Sequence, residues 1–225
     1  MTEEELSDFE TLYKGEVEYL DRHIGDIIDW VDQNIGFENT VLALFSDHGE
    51  SLGEHGKLRH GDQFHSGVTH VPCIIKGLNE QGNIHTPVSG IDLMPTFLDY
   101  ADITIPDSCR GQSIRKYLSE SDQSRYVYTQ SGKSDDGRVM ITDGTWQLVH
   151  DISSNERTYF KRTGDSSEHI EEETVPSKDL EKLQTNLEDH MESFEESAQK
   201  NASREEAGIS KDVEERLQDL GYKEV

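Results

Sequence analysis

The chain has 225 residues, with 21 Lys and Arg against 47 Asp and Glu and a formal net charge of -26. That length allows one domain with a real core, or part of a larger one. So negative a balance excludes the basic patches that nucleic acid and anionic membrane surfaces require. The acid excess is spread along most of the chain. It suits a halophilic protein, kept soluble in concentrated salt where self-repulsion is screened over short distances; a merely acidic cytosolic protein is the plainer alternative. No run of about 18 apolar residues exists, so no transmembrane helix is expected. The acidic start, MTEEELSDFE, lacks the basic and apolar regions of a signal peptide, which makes a cytoplasmic location the default expectation. Cys73 and Cys109 are not spaced as a metal or redox motif.

Residues 10–33 are expected to form an amphipathic helix covering a core. Leu20, Ile24, Ile27, Ile28 and Val31 recur at helical spacing, with Asp21, Arg22, Asp26 and Asp29 between them. After the turn in NIGFEN, the apolar run Val41 to Phe45 predicts a strand buried on both faces of a parallel sheet. It stops at Ser46-Asp47-His48-Gly49-Glu50. Loops at the carboxyl ends of such strands are where open α/β sheets place their ligands. The run His70 to Ile75 reads as the next strand, with Cys73 a buried core residue. A helix is expected over Ile91 to Tyr100, with Pro95 in its first turn, and a short one near Ile114 to Leu118. From Tyr126 the runs YVYTQ, RVMIT and WQLVHD, separated by the glycine turns SGKSDDG and DG, predict a small antiparallel meander. Helices follow around 177–200 and 210–220, the latter with Val213, Leu217 and Leu220 on one face. Two units are expected, 1–124 and 125–225.

The chemistry is concentrated in one window. Five of the ten histidines (His48, His55, His60, His65, His70) fall within 23 residues, with Asp47 directly before them and Glu50, Glu54 and Asp62 among them. Imidazole and carboxylate are the ligands of divalent metals, and histidine is a near-neutral acid or base. A histidine-rich acidic loop with no ligand is the competing reading.

The stretch TVLALFSDHGESLGEHG, with LRHG and THVPCIIKG after it, resembles the C-terminal signature of the sulfatase family within the alkaline-phosphatase superfamily. GIDLMPTFLDYADI is similar to that family's following helix, RVMITDGTWQLVHD to its C-terminal strands, and EERLQDLGYKEV to its usual ending. The resemblance implies an α/β fold: the second half of a mainly parallel sheet flanked by helices, with a small antiparallel C-terminal subdomain. It implies that Asp47 and His48 hold a divalent metal, calcium in most sulfatases. His60, thirteen residues after Asp47, matches a Lys or His that contacts the substrate's anionic oxygens or the leaving group. Lys57 is the fallback for that role. Gly49 and Gly61 are expected to let backbone approach the site.

The nucleophile motif C/S-x-P-x-R and the acidic pair that precedes it are absent from the chain. Hydrolysis of a sulfate ester on a sugar or small molecule is therefore expected only if an N-terminal half completes the site. Two alternatives stand beside it. The same motifs resemble phosphoethanolamine transferases, in which zinc or manganese would be the ion and a threonine the nucleophile. A non-catalytic remnant serving as a binding module is the other.

Overall fold

The computed structural model describes residues 2–60, 64–119, 124–131, 137–164 and 166–202. Thr2 starts the first helix, α1 (Glu3–Asn34), through a capping box: its hydroxyl accepts from the Glu5 amide and the Glu5 carboxylate accepts from the Thr2 amide. Two amide donors without helical partners are satisfied in this way. At 32 residues the helix runs for about 48 Å. It ends where the Ile35 amide returns to the Val31 carbonyl, and Gly36 turns the chain at φ +85°. Val31 is buried, but Leu12, Leu20, Ile27 and Trp30 are 57–71% exposed. The helix expected over 10–33 is present; its apolar face is covered only in part by the described residues.

Strand β1 (Leu42–Phe45) pairs with β4 (Cys73–Lys76) in antiparallel register, Leu42 opposite Lys76 and Phe45 opposite Cys73. All strand pairs among the described residues run antiparallel. The expectation of a mainly parallel sheet is therefore not met by them. The connection is consistent with this: parallel strands are joined by a long crossover, usually a helix, whereas the described residues between 46 and 72 hold only short β2 (Ser51–Leu52), a single helical turn at Glu54–Gly56, β3 (Leu58–Arg59) and α2 (Ser66–Thr69). Double-sided burial fails too. Phe45, Cys73 and Ile74 are exposed, so Cys73 is not the core residue its apolar neighbours suggested.

A turn at Gly90–Asp92 leads into α3 (Leu93–Tyr100), whose first turn buries Pro95 as expected. Asp92 is a structural anchor with no counterpart in the sequence reading. Its buried carboxylate accepts from the Ser89 and Gln112 amides and from both terminal nitrogens of Arg125, at 2.6–2.9 Å. Burying such a pair is offset only where hydrogen bonds meet its remaining polar atoms; the carboxylate is met in this way, and Nε of Arg125 is buried without a partner. The short α4 (Lys116–Ser119) follows.

The meander is larger than expected. Strands β5 (Val127–Ser131), β6 (Arg138–Thr142), β7 (Trp146–Asp151), β8 (Glu156–Thr163) and β9 (Ser166–Ile170) pair in sequence order. The turn between β6 and β7 uses Gly144 at φ +92°, conformational space that side chains resist. Against one face packs α5 (Ser177–Ala202), whose Leu183 and Leu187 are fully buried with Val139, Ile141, Leu148 and Tyr159. Each such side chain contributes about 1.5–3 kcal/mol by leaving water. The other face receives Phe64 on Met140 and Val149. The Ser66 amide donates to the Ser167 hydroxyl at 3.0 Å. The histidine-rich loop is thereby fastened to the meander. The helix expected over 210–220 and the Leu-Gly-Tyr ending lie outside the described residues. No described helix is long and apolar enough to cross a membrane.

Candidate metal site

Where β1 ends, local hydrogen bonds fold the chain sharply. Ser46 donates its hydroxyl to the His48 carbonyl at 2.6 Å, and the Asp47 carboxylate accepts from the His48 amide at 3.0 Å. The Gly49 amide then donates to the Val68 carbonyl at 2.7 Å. A Cβ on Gly49 would lie 2.1 Å from the Gly67 carbonyl oxygen. Gly49 therefore serves the close approach of two backbone segments, the loop and α2. Gly61 and Asp62 lie outside the described residues.

Beyond Gly49 the chain forms the β2–β3 hairpin, pairing Ser51 with Arg59 and Leu52 with Leu58. Its tip carries Gly53 at φ +115° and the strained His55 at φ +52°, and Arg59 bends β3 at φ +65°. The hairpin returns His60 to Glu50, and the Nδ1 of His60 lies 3.2 Å from Oε2 of Glu50. The rings of His48 and His60 are 4.0 Å apart between centroids. Ligand atoms of His48, Glu50 and His60 all lie within 4.8 Å of one another. Among the described residues this is the one group of histidine, cysteine and acidic side chains compact enough for a metal ion.

Two further features shape the site. The Nδ1 of His48 is 2.9 Å from the Gly49 carbonyl. A carbonyl only accepts, so Nδ1 is the donor, and in the neutral ring that leaves the lone pair on Nε2. Glu50 is mostly buried, and its Oε1 has no hydrogen-bond partner. A buried carboxylate oxygen without a partner costs stability unless a cation or donor meets it.

Asp47 stands at the margin. Its side chain is 85% exposed and its Oδ1 is 3.9 Å from Nε2 of His48. Lys57 is exposed on the hairpin. His65 belongs to a separate buried contact: its Nε2 meets the Ser51 hydroxyl at 2.9 Å, and its ring lies 4.8 Å from that of His55. Burial holds the His65 imidazole below its ordinary pKa, with His55 adding to the effect and Glu54 opposing it. His70 caps the end of α2. The structure thus gathers His48 and His60, two of the expected residues, with Glu50, to which the sequence assigned no role. The signal for Glu50 was present in the acidic count of the window; its partnership with His60 depends on the hairpin.

Comparison with known proteins gives the setting. Residues 2–103 match the model of the sulfatase family. The chain is 33% identical to the choline-sulfatase of Rhizobium meliloti over 156 residues, 67% of this chain and 30% of that protein. It is 28% identical to an arylsulfatase of Clostridium perfringens over 166 residues, 69% of this chain and 34% of that one. A solved 2-O GAG sulfatase shares the fold at a TM-score of 0.73 with 18% identity, over 88% of this chain and 46% of that structure. The chain spans about a third of the length of the curated relatives it matches.

Proposed function

Residues 2–103 belong to the sulfatase family, and from that premise we propose that the chain supplies the metal-bearing half of a sulfuric ester hydrolase. The observation that carries the proposal is the cluster of His48, Glu50 and His60 at the carboxyl end of β1, inside the matched segment. In this reading the loop holds a divalent cation with His48 as a ligand and Asp47 beside it. The cation would offset the negative charge of a sulfate group and of the oxygen attacking it. His60 donates a hydrogen bond to the sulfate or to the departing oxygen, where charge grows as the S–O bond breaks. Lys57 is the reserve cation for the same task. The substrate class is a sulfated sugar or small molecule, as with the choline-sulfatase and 2-O GAG sulfatase that the chain resembles. The family match and these relatives favour sulfuric esters over phosphoethanolamine transfer.

A nucleophile is required, and the rest of the fold would provide it. The exposed apolar residues on α1 and on β1 and β4 offer the surface for that remainder. The purified chain alone is therefore expected to release little or no 4-nitrophenol from 4-nitrophenyl sulfate, with or without divalent metal. Robust metal-dependent turnover by the chain alone would sink the half-site reading. Calorimetric titration with metal and then with sulfate separates a competent half from a remnant. A competent half binds sulfate once metal is present, and a remnant binds neither.

A further inference from the structure

We infer that the loop binds a zinc-class ion through His48, Glu50 and His60, with Glu50 as an obligatory ligand, and that it discriminates against calcium. The inference rests on the reading of this loop as the metal-bearing part of the site, and it specifies the ion and its ligands. Three observations converge on it.

The first is donor chemistry. Calcium takes about six to eight oxygen ligands, whereas two of the three clustered donors are imidazole nitrogens. A set of two imidazoles and one carboxylate, with a fourth position left open, is a zinc arrangement. The family expectation of calcium therefore does not fit the residues gathered here.

The second is spacing. Zinc bonds to nitrogen and oxygen of about 2.0–2.1 Å set two tetrahedral ligands about 3.3–3.4 Å apart. Nδ1 of His60 and Oε2 of Glu50 are 3.2 Å apart. The same distance serves a direct hydrogen bond when the site is free of metal, so the pair needs little movement to bind.

The third is the pair of polar atoms left ready. Oε1 of Glu50 is buried with no partner, and the Gly49 carbonyl keeps the lone pair of His48 on Nε2. A hydrogen bond from the far nitrogen is how metal-binding histidines are commonly oriented. For His60 the consequence reaches the reaction. With Nδ1 turned to metal, its proton resides on Nε2, and the ring can present an N–H donor to an anionic oxygen.

Metal titration of the purified full chain tests the proposal. Zinc is expected to bind at one equivalent, with calcium at least about 100-fold weaker. Cobalt as a probe is expected to show visible absorption with the intensity of a four-coordinate site with nitrogen ligands. Glu50→Gln and His60→Ala should each weaken zinc binding at least about 10-fold, with far-UV circular dichroism unchanged. His55→Ala, on the same hairpin but outside the cluster, should bind zinc as the parent does. Calcium bound as tightly as zinc, or Glu50→Gln binding zinc with parental affinity, would overturn the assignment. Neither result touches the sulfatase reading, which turns on sulfate-ester chemistry.

Discussion

Gly49 shows how one missing side chain shapes the candidate site. The Cβ of an alanine would approach the Gly67 carbonyl oxygen to 2.1 Å and the Val68 Cα to 3.2 Å, and both obstacles are backbone. Neither can swing aside, so the loop must move away from α2 and the Gly49 to Val68 hydrogen bond must lengthen. Gly49→Ala is expected to cost about 1–3 kcal/mol, the usual scale of overpacking, and to weaken metal binding by displacing His48 and Glu50 together. Urea unfolding and zinc titration of the variant check this, and parental values in both would refute it. At this scale much of the site is legible in the sequence. His48 and His60 are named by motif, because chemistry-bearing residue types at fixed spacing survive translation into a string. Glu50 is not, since it meets His60 across ten positions through a hairpin with two residues per strand. So short a hairpin leaves no periodic trace.

Elements differ in how plainly their residues declare them. The long helix α1, with its capping box and helical apolar spacing, is readable directly. So are β5 to β7, where glycine turns separate β-rich runs. Strand β8 (ERTYFKRT) is missed because among its eight residues only Tyr159 is fully buried, and a strand so rich in charged residues shows no clean apolar alternation although it lies between β7 and β9. The direction of β1 against β4 is equally invisible, since an apolar run specifies burial and says nothing of its partner's sense. Strand β7 carries a consequence for pH. His150 is 6% exposed, and its Nδ1 is buried without a partner. Its neighbours are Val139 on β6 and Arg157 on β8, with Asp151 adjacent. Burial and then Arg157 hold its pKa below the ordinary value, while Asp151 and a backbone bond to Glu156 partly oppose them. The unfolded chain, with a histidine pKa of about 6.5, therefore binds the proton more readily than the folded one. The contribution to stability is full above that value and is lost as pH falls toward the folded-state pKa. The urea midpoint is expected to decline from about pH 7 to pH 5, above the range of most carboxylates. His150→Leu should flatten part of that decline, and His65 and His190, shifted the same way by burial, account for the remainder. A variant with an undiminished slope would show that His150 does not contribute.

For the molecule as a whole, apolar surface is unevenly covered. The dense core lies between the meander and α5, where Ile141, Leu148, Leu183 and Leu187 have no exposure. Toward the N-terminus, α1 displays Leu20, Ile27 and Trp30 at 57% exposure and β4 displays Ile74 at 61%. The sequence could not distinguish these groups, because hydrophobic spacing reports which face is meant to be covered, not whether this chain covers it. Stability measurements can. Leu183→Ala removes fully buried methyl groups from a packed interior and is expected to cost about 2–5 kcal/mol. Ile27→Ala removes groups already in water; in the isolated chain its effect should stay within about 0.5 kcal/mol, with the better helix propensity of alanine offsetting part of any loss. Urea unfolding of the two variants beside the parent makes the comparison. Equal destabilisation would mean that the face of α1 is already covered in this chain, by folding back or self-association, leaving no free apolar surface there for the rest of a sulfatase fold.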